Sequence, residues 1–191
     1  MLAIEERPAS DCEAIAAIPI AFPVDRRFVV DQGAEGSPTL REAAVPEPFI
    51  KDYDADERPT DWRTHFDLHN WGLLIARMDG TDVGSVLVAF DTPGVDMLEG
   101  RSDLAVVWDI RVAPAHRGRG IGGRLIEAAE TWARSRGCTE LKVETQDINV
   151  AACSLYSRAG FRLREANPAA YPDQPNETQL IWTKRLIPEA S

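Results

Sequence analysis

Apolar positions run almost unbroken through residues 71–78 and again through 83–90, with Asp79-Gly80-Thr81 between them. An Asp-Gly pair between two such runs supplies the positive-φ residues of a tight turn, so the stretch predicts an antiparallel hairpin. Residues 104–112 (LAVVWDIRV) form another apolar run, as a central strand covered on both faces requires, and Pro114 ends it. Beyond a glycine-rich segment, Ile121, Leu125, Ala128, Ala129 and Trp132 recur at helical spacing, while Arg124, Glu127, Glu130 and Arg134 point elsewhere. That pattern predicts an amphipathic helix to about residue 136, with Gly137 as its stop. A strand over 140–145, a helix over 149–158 ended by Gly160, a strand over 161–165 and a last strand over 178–185 complete a β-α-β-α-β-β order.

The first sixty residues are harder to read. Pro8, Pro19, Pro23, Pro38, Pro46, Pro48 and Pro59 break every periodic run there, so short elements are expected. Asp11 is placed to cap a brief helix through Ile18, and residues 26–31 (RRFVVD) to form a strand. The acidic run 52–57 reads as an exposed loop.

Composition narrows the class. The chain has 191 residues, which fits one domain with residues 1–60 as an N-terminal elaboration. No run approaches the roughly 18 apolar residues of a membrane span, and the N-terminal residues lack the basic flank and apolar block of a signal peptide. The cytoplasm is therefore the expected compartment, without membrane association. Three cysteines, Cys12, Cys138 and Cys153, show no metal or disulfide spacing and read as small buried side chains, so no metal is expected. A formal net charge of -10 argues against nucleic acid as a partner. Arg111, His116, Arg117, Arg119 and Arg124 are nevertheless concentrated together, which suits one small anionic ligand.

A strand, a glycine turn and a helix start, as in residues 117–124 (RGRGIGGR), bring free backbone N–H groups and the positive end of a helix dipole to one point. Glycines let phosphates approach those amides. Gly118, Gly120 and Gly123 form a GxGxxG, with Glu144 about twenty residues on, so a nicotinamide or flavin enzyme is one reading. The antiparallel hairpin before it and the single βαβ unit argue against that reading, and the Walker pattern fails for want of Gly-Lys-Ser/Thr. The same letters satisfy Arg-x-x-Gly-x-Gly at Arg117, Gly120 and Gly122, after the phrase Asp109-Ile110-Arg111-Val112-Ala113-Pro114.

With that phrase the chain resembles the GNAT superfamily of N-acetyltransferases. The later Asn149-x-x-Ala152-x-x-Leu155-Tyr156-x-x-x-Gly160-Phe161 looks like the family's second conserved segment. The resemblance implies an α/β (α+β) fold, a mixed and mainly antiparallel sheet whose central strands splay around acetyl-CoA, with helices on both faces. It implies that Arg117, Gly118, Arg119, Gly120, Ile121, Gly122, Gly123 and Arg124 hold the pyrophosphate. Ile110, Arg111 and Val112 would hold the pantetheine through backbone amides, and Asn149, Ala152 and Tyr156 would line the cofactor arm. Tyr156 matches the family's usual proton donor to the leaving thiolate.

An amine with a pKa near 10.4 is neutral in only about one molecule in a few thousand at pH 7, so transfer needs a base. Glu144 is the first candidate and Asp109 the second; each is equally readable as a structural group, an ion pair with Arg111 or a helix cap. Asp147 reads as a loop or capping contact. His65 and His69 read as surface or packing residues, and no nucleophile triad is evident, so direct transfer is expected. The run ETQDIN, with Tyr171 and the last strand, is similar to streptothricin acetyltransferases over residues 70–186 and more faintly at 48–53. That resemblance implies a small cationic amine as substrate, with Asp109, Glu144 and Tyr171 as its contacts, and an acidic surface would attract it. Other small amines, a protein N-terminus or lysine, a non-catalytic acyl-CoA sensor and a homodimer all stay open at this point.

Overall fold

The computed structural model describes residues 1–32 and 38–186. In chain order the elements are β1 (Leu2–Arg7), α1 (Cys12–Ala16), β2 (Phe22–Gln32), β3 (Pro38–Lys51), α2 (Pro59–His65), β4 (Gly72–Met78), β5 (Thr81–Phe90), β6 (Leu104–Val112), α3 (Ile121–Ser135), β7 (Glu140–Gln146), α4 (Val150–Arg158), β8 (Arg162–Asn167) and β9 (Gln179–Arg185). They divide into two compact units. One comprises Met1–Ala21, Asp52–Leu141 and the segment from Arg185; the other comprises Phe22–Lys51 and Lys142–Lys184.

The first unit is built on strands ordered β1-β4-β5-β6, each antiparallel to its neighbour. The predicted hairpin closes at Met78 opposite Thr81, with Asp79 at φ 51° and Gly80 at φ 84° in the left-handed region that its tight turn needs. Residues 73–76 and 83–89 are all buried because both faces of these strands are covered. On one face lies α3, whose Ile121 and Leu125 approach Gly84 and whose Trp132 ring sits against Gly72. A Cβ on Gly72 would come within 2.2 Å of that indole, so only glycine admits the ring. Trp132 Nε1 donates to Glu6 at 2.9 Å and Arg136 lies 3.6 Å above the indole. The other face packs Leu73, Ile75 and Leu87 against Cys12 and Ile15 of α1 and Trp62 of α2. As the sequence predicts, Asp11 caps α1 through the Ala14 N–H at 3.3 Å.

The second unit contains the β2–β3 hairpin and the strands β7-β9-β8. Here the expectation of short elements is overturned. β2 has 11 residues and β3 has 14, despite three prolines in the span from Pro38 to Pro48. The pairing steps from Val24↔Phe49 to Arg26↔Ala44, so residues 45–48 bulge opposite Asp25 alone. Pro46 and Pro48, which cannot donate to a ladder, fall inside that bulge. β1 and α2 were likewise not anticipated. The pattern from residue 71 onward matches the observed elements in type and order, to within one or two residues at the ends.

Among the described residues no helix is long and apolar enough to cross a membrane. Nor do they contain a group of three or more His, Cys, Asp or Glu side chains able to hold a metal ion. All three cysteines are free and buried.

Candidate active site

The register of β5 and β6 slips once, from Val88↔Val107 to Leu87↔Asp109, leaving Trp108 as an extra residue on β6. Such a bulge bends the strand and re-aims the residues beyond it. Ala113 N–H donates to Val83 O at 2.9 Å, and antiparallel bonding alternates, so Arg111 faces β5 with its backbone groups. The N–H groups of Ile110 and Val112 therefore point to the opposite edge of β6.

After β6, a single 3₁₀ turn, Pro114–His116, leads into residues 117–120. Gly118 at φ 75° and Gly120 at φ 79° make the tight bend, and Gly120 is the N-cap of α3 with no side-chain cap. The first intrahelical bond of the turn is Arg124 N–H to Gly120 O at 3.2 Å, which leaves the N–H groups of Ile121, Gly122 and Gly123 without helical acceptors. Beyond its chain neighbours and, at Gly123, the backbone of its own helix, a Cβ at Gly118, Gly120 or Gly123 would meet no atom of the described residues within 4 Å. Packing does not explain the glycine at 123; the three amides left without helical acceptors form a cradle whose donors would suit an anion such as a pyrophosphate. Arg119 is exposed, and Arg124 is mostly exposed with Glu127 at 3.8 Å.

Arg117 does not point its charge at that cradle. Its Nε donates to Val112 O at 2.9 Å, Nη1 to Ala21 O at 2.9 Å, and Nη2 to Pro19 O and Ile20 O at 3.2 Å each. The guanidinium fastens the loop to β6 and to the 19–21 segment, and burial lowers its pKa from the ordinary arginine value.

Arg111 and Asp109 are also engaged. Arg111 Nε and Nη2 fork onto Asp109 at 2.9 and 2.7 Å, Nη1 and Nη2 onto Asp54 at 2.9 and 3.1 Å, and Nη1 reaches Ile18 O at 3.1 Å. All five N–H donors are satisfied. Burial works against the charge of Arg111, but the Asp109 and Asp54 carboxylates outweigh it and hold the pKa above its usual value. With both oxygens of Asp109 in this fork, its placement suits holding the bulged strand. The acidic run is thus more than the expected exposed loop: it contains the single turn Tyr53–Ala55, and Asp54 is a partner of the buried Arg111. The sequence offered no signal for that pairing, because the two residues lie 57 positions apart.

In the second unit, Asn149 caps α4 by accepting from the Ala152 N–H at 3.1 Å. Tyr156 is 3% exposed and packs against Phe161 and Trp182, with ring centroids 5.7 and 6.4 Å away. Glu144 and Tyr171 come together: the Tyr171 hydroxyl donates to Glu144 Oε1 at 2.6 Å. Gln179 Nε2 donates to Glu144 Oε2 at 2.8 Å, and Gln146 Nε2 donates to the Tyr171 hydroxyl oxygen at 3.1 Å. Both glutamines were missed as site residues, although Glu144 and Gln146, two apart on one strand, share a face. Asp147, as its position suggested, is structural: it binds Arg27 and accepts the Thr178 N–H at 2.8 Å. His65 is exposed and 3.0 Å from Glu57.

The sequence model described as "Acetyltransferase (GNAT) family" matches residues 38–161. The chain belongs to that family. It is an N-acetyltransferase of mixed α/β fold, with a mainly antiparallel sheet, and acetyl-CoA is its co-substrate. A streptothricin acetyltransferase of Streptomyces lavendulae is 29% identical over 169 residues, covering 87% of this chain and 85% of that protein. One from Escherichia coli is 42% identical over 84 residues, 42% of this chain and 48% of that protein. The crystal structure of nourseothricin acetyltransferase is 29% identical, covers 97% of this chain and 99% of that one, and superposes with a TM-score of 0.74. A Bacillus anthracis structure in complex with acetyl coenzyme A shares the fold with a TM-score of 0.78 at 23% identity, covering 97% and 99% of the two chains.

Proposed function

We propose that the protein transfers acetyl from acetyl-CoA directly to a primary amine of a streptothricin-like cationic antibiotic. The observation that carries this reading is Glu144, a carboxylate oriented by Tyr171 and Gln179 and suited to an ammonium group. The whole-length similarity to streptothricin acetyltransferases supports the substrate class. Residues 117–124 bind the pyrophosphate through the amides at the start of α3, and the Ile110 and Val112 amides hold pantetheine and polarise the thioester carbonyl. Glu144, directly or through water, takes the proton of the ammonium. The amine nitrogen then forms its bond to the carbonyl carbon, the C–S bond breaks, the leaving thiolate, whose parent thiol resembles cysteine, takes a proton from Tyr156, and the second proton lost by the nitrogen returns through water to the Tyr156 phenolate. Asn149 and Ala152 line the cofactor arm, and the reaction is placed in the cytoplasm.

Thermal melting with acetyl-CoA, CoA and NADH tests the cofactor: acetyl-CoA at 100 times its Kd is expected to stabilise by about 2.7 kcal/mol, and NADH to do nothing. Thiol release on adding streptothricin tests the acceptor; release with simple polyamines alone would move the assignment to another small amine. Tyr156→Phe is expected to lower kcat about 100-fold at unchanged acetyl-CoA KM. Unaltered turnover would remove Tyr156 from the acid role.

A further inference from the structure

Residues 171–178 form no regular element, yet they are held at several points. Gln174 N–H bonds to Tyr171 O at 3.0 Å and Glu177 N–H to Gln174 O at 2.9 Å, giving two successive turns. Lys51, the last residue of β3, donates to Gln174 Oε1 at 2.7 Å and to Glu177 Oε1 at 2.9 Å, an ion pair whose side chains are only 10% and 11% exposed. Arg27 of β2 donates to Asn176 O at 2.7 Å and pairs with the buried Asp147, which in turn takes the Thr178 N–H. Glu177 Oε2 is buried and has no hydrogen-bond partner among the described residues. A buried ion pair with one oxygen left over is poor stabilisation compared with apolar packing. It does, however, fix a segment in place, and that segment carries Tyr171.

The direction of the bonds around Tyr171 is determined. Gln146 can only donate through Nε2, so the phenolic oxygen accepts and its single O–H goes to Glu144. We infer that Lys51 is a positioning residue for acceptor recognition: it holds the 171–178 segment so that the Tyr171 hydroxyl orients the Glu144 carboxylate toward the incoming ammonium. Arg27 supports the same segment from its far end. The inference rests on the reading above that Glu144 receives the acceptor amine.

Steady-state kinetics on the full chain, with streptothricin and acetyl-CoA varied separately, test it. Tyr171→Phe is expected to raise the streptothricin KM about tenfold, the loss of one hydrogen bond to a charged group, with the acetyl-CoA KM within about twofold. Lys51→Met should do the same, and the double variant should be no worse than the more severe single, because both act on one bond. Effects that multiply in the double variant, or equal rises in both KM values, would overturn the inference and leave Lys51 a purely structural residue. If Lys51→Met fails to fold, Gln174→Ala removes part of the same link and should raise the streptothricin KM alone; a streptothricin KM unchanged in that variant counts against the link. Glu144→Gln separates the two levels: no change in streptothricin kinetics there sinks the reading of Glu144 itself. A large change there with none in Tyr171→Phe sinks only the positioning.

Discussion

Burial, with the charge of Asp147 adding to it, pushes the Cys153 thiol up to about 12, and burial takes Cys138 up to about 11. In the unfolded chain a thiol titrates near 8.5. Above that value the unfolded state loses its proton while the folded state keeps it. The stability tied to the protonated thiol is therefore complete below about pH 8.5 and is lost as pH rises toward 12, at up to about 1.4 kcal/mol per pH unit for one group. Urea unfolding at pH 8 and at pH 10.5 should show a shallower fall in Cys153→Ala than in the unaltered protein; equal falls would mean that the thiol is not the titrating group. The same local reasoning explains what could be read residue by residue from the sequence. Cysteines without partner spacing are small buried groups wherever they lie, and so they prove to be. Arg111 and Arg117 were legible only in part. The pairing of Arg111 with Asp109, two residues away, was one of the readings, but Asp54 and the carbonyls of residues 19–21 come from parts of the chain that no local pattern connects to these guanidinium groups.

At the scale of elements, the start of α3 allows stability and binding to be separated. Gly123 lies inside the helix, and a methyl there meets no atom of the described residues beyond its own helix backbone and chain neighbours, so Gly123→Ala should leave folding intact or raise stability by up to about 1 kcal/mol. The same methyl would stand over the amides proposed to hold the pyrophosphate, and the acetyl-CoA KM should rise at least about tenfold. Denaturant unfolding and cofactor kinetics on the one variant check both halves; an unchanged KM would move the pyrophosphate away from this helix start. The element was readable because helix periodicity, a positive-φ glycine bend and a Gly137 stop all lie within a short window. The β2–β3 hairpin was not. Its prolines signal interruption, and only the pairing of the two strands shows that the interruption is a four-residue bulge within one long ladder.

At the scale of the whole molecule, the net charge of -10 acts on the two substrates in opposite senses. A polycationic acceptor would be drawn toward an acidic protein, while acetyl-CoA, an anion, is opposed by the overall field and, on the proposed reading, relies on the local amide cradle and on Arg119 and Arg124. Salt shortens the reach of these fields: the Debye length is roughly 30 Å at 0.01 M and about 10 Å at 0.1 M. Raising ionic strength from about 0.01 to 0.2 M should therefore lower kcat/KM for streptothricin several-fold while that for acetyl-CoA stays level or rises. A monocationic amine, with less charge to attract, should fall less than the polycation. Steady-state rates across a KCl series, with each substrate varied in turn, read this directly. Parallel slopes for acceptor and cofactor would show that the surface charge does not select for a cation, and the acidic composition would then bear on solubility rather than on the choice of substrate.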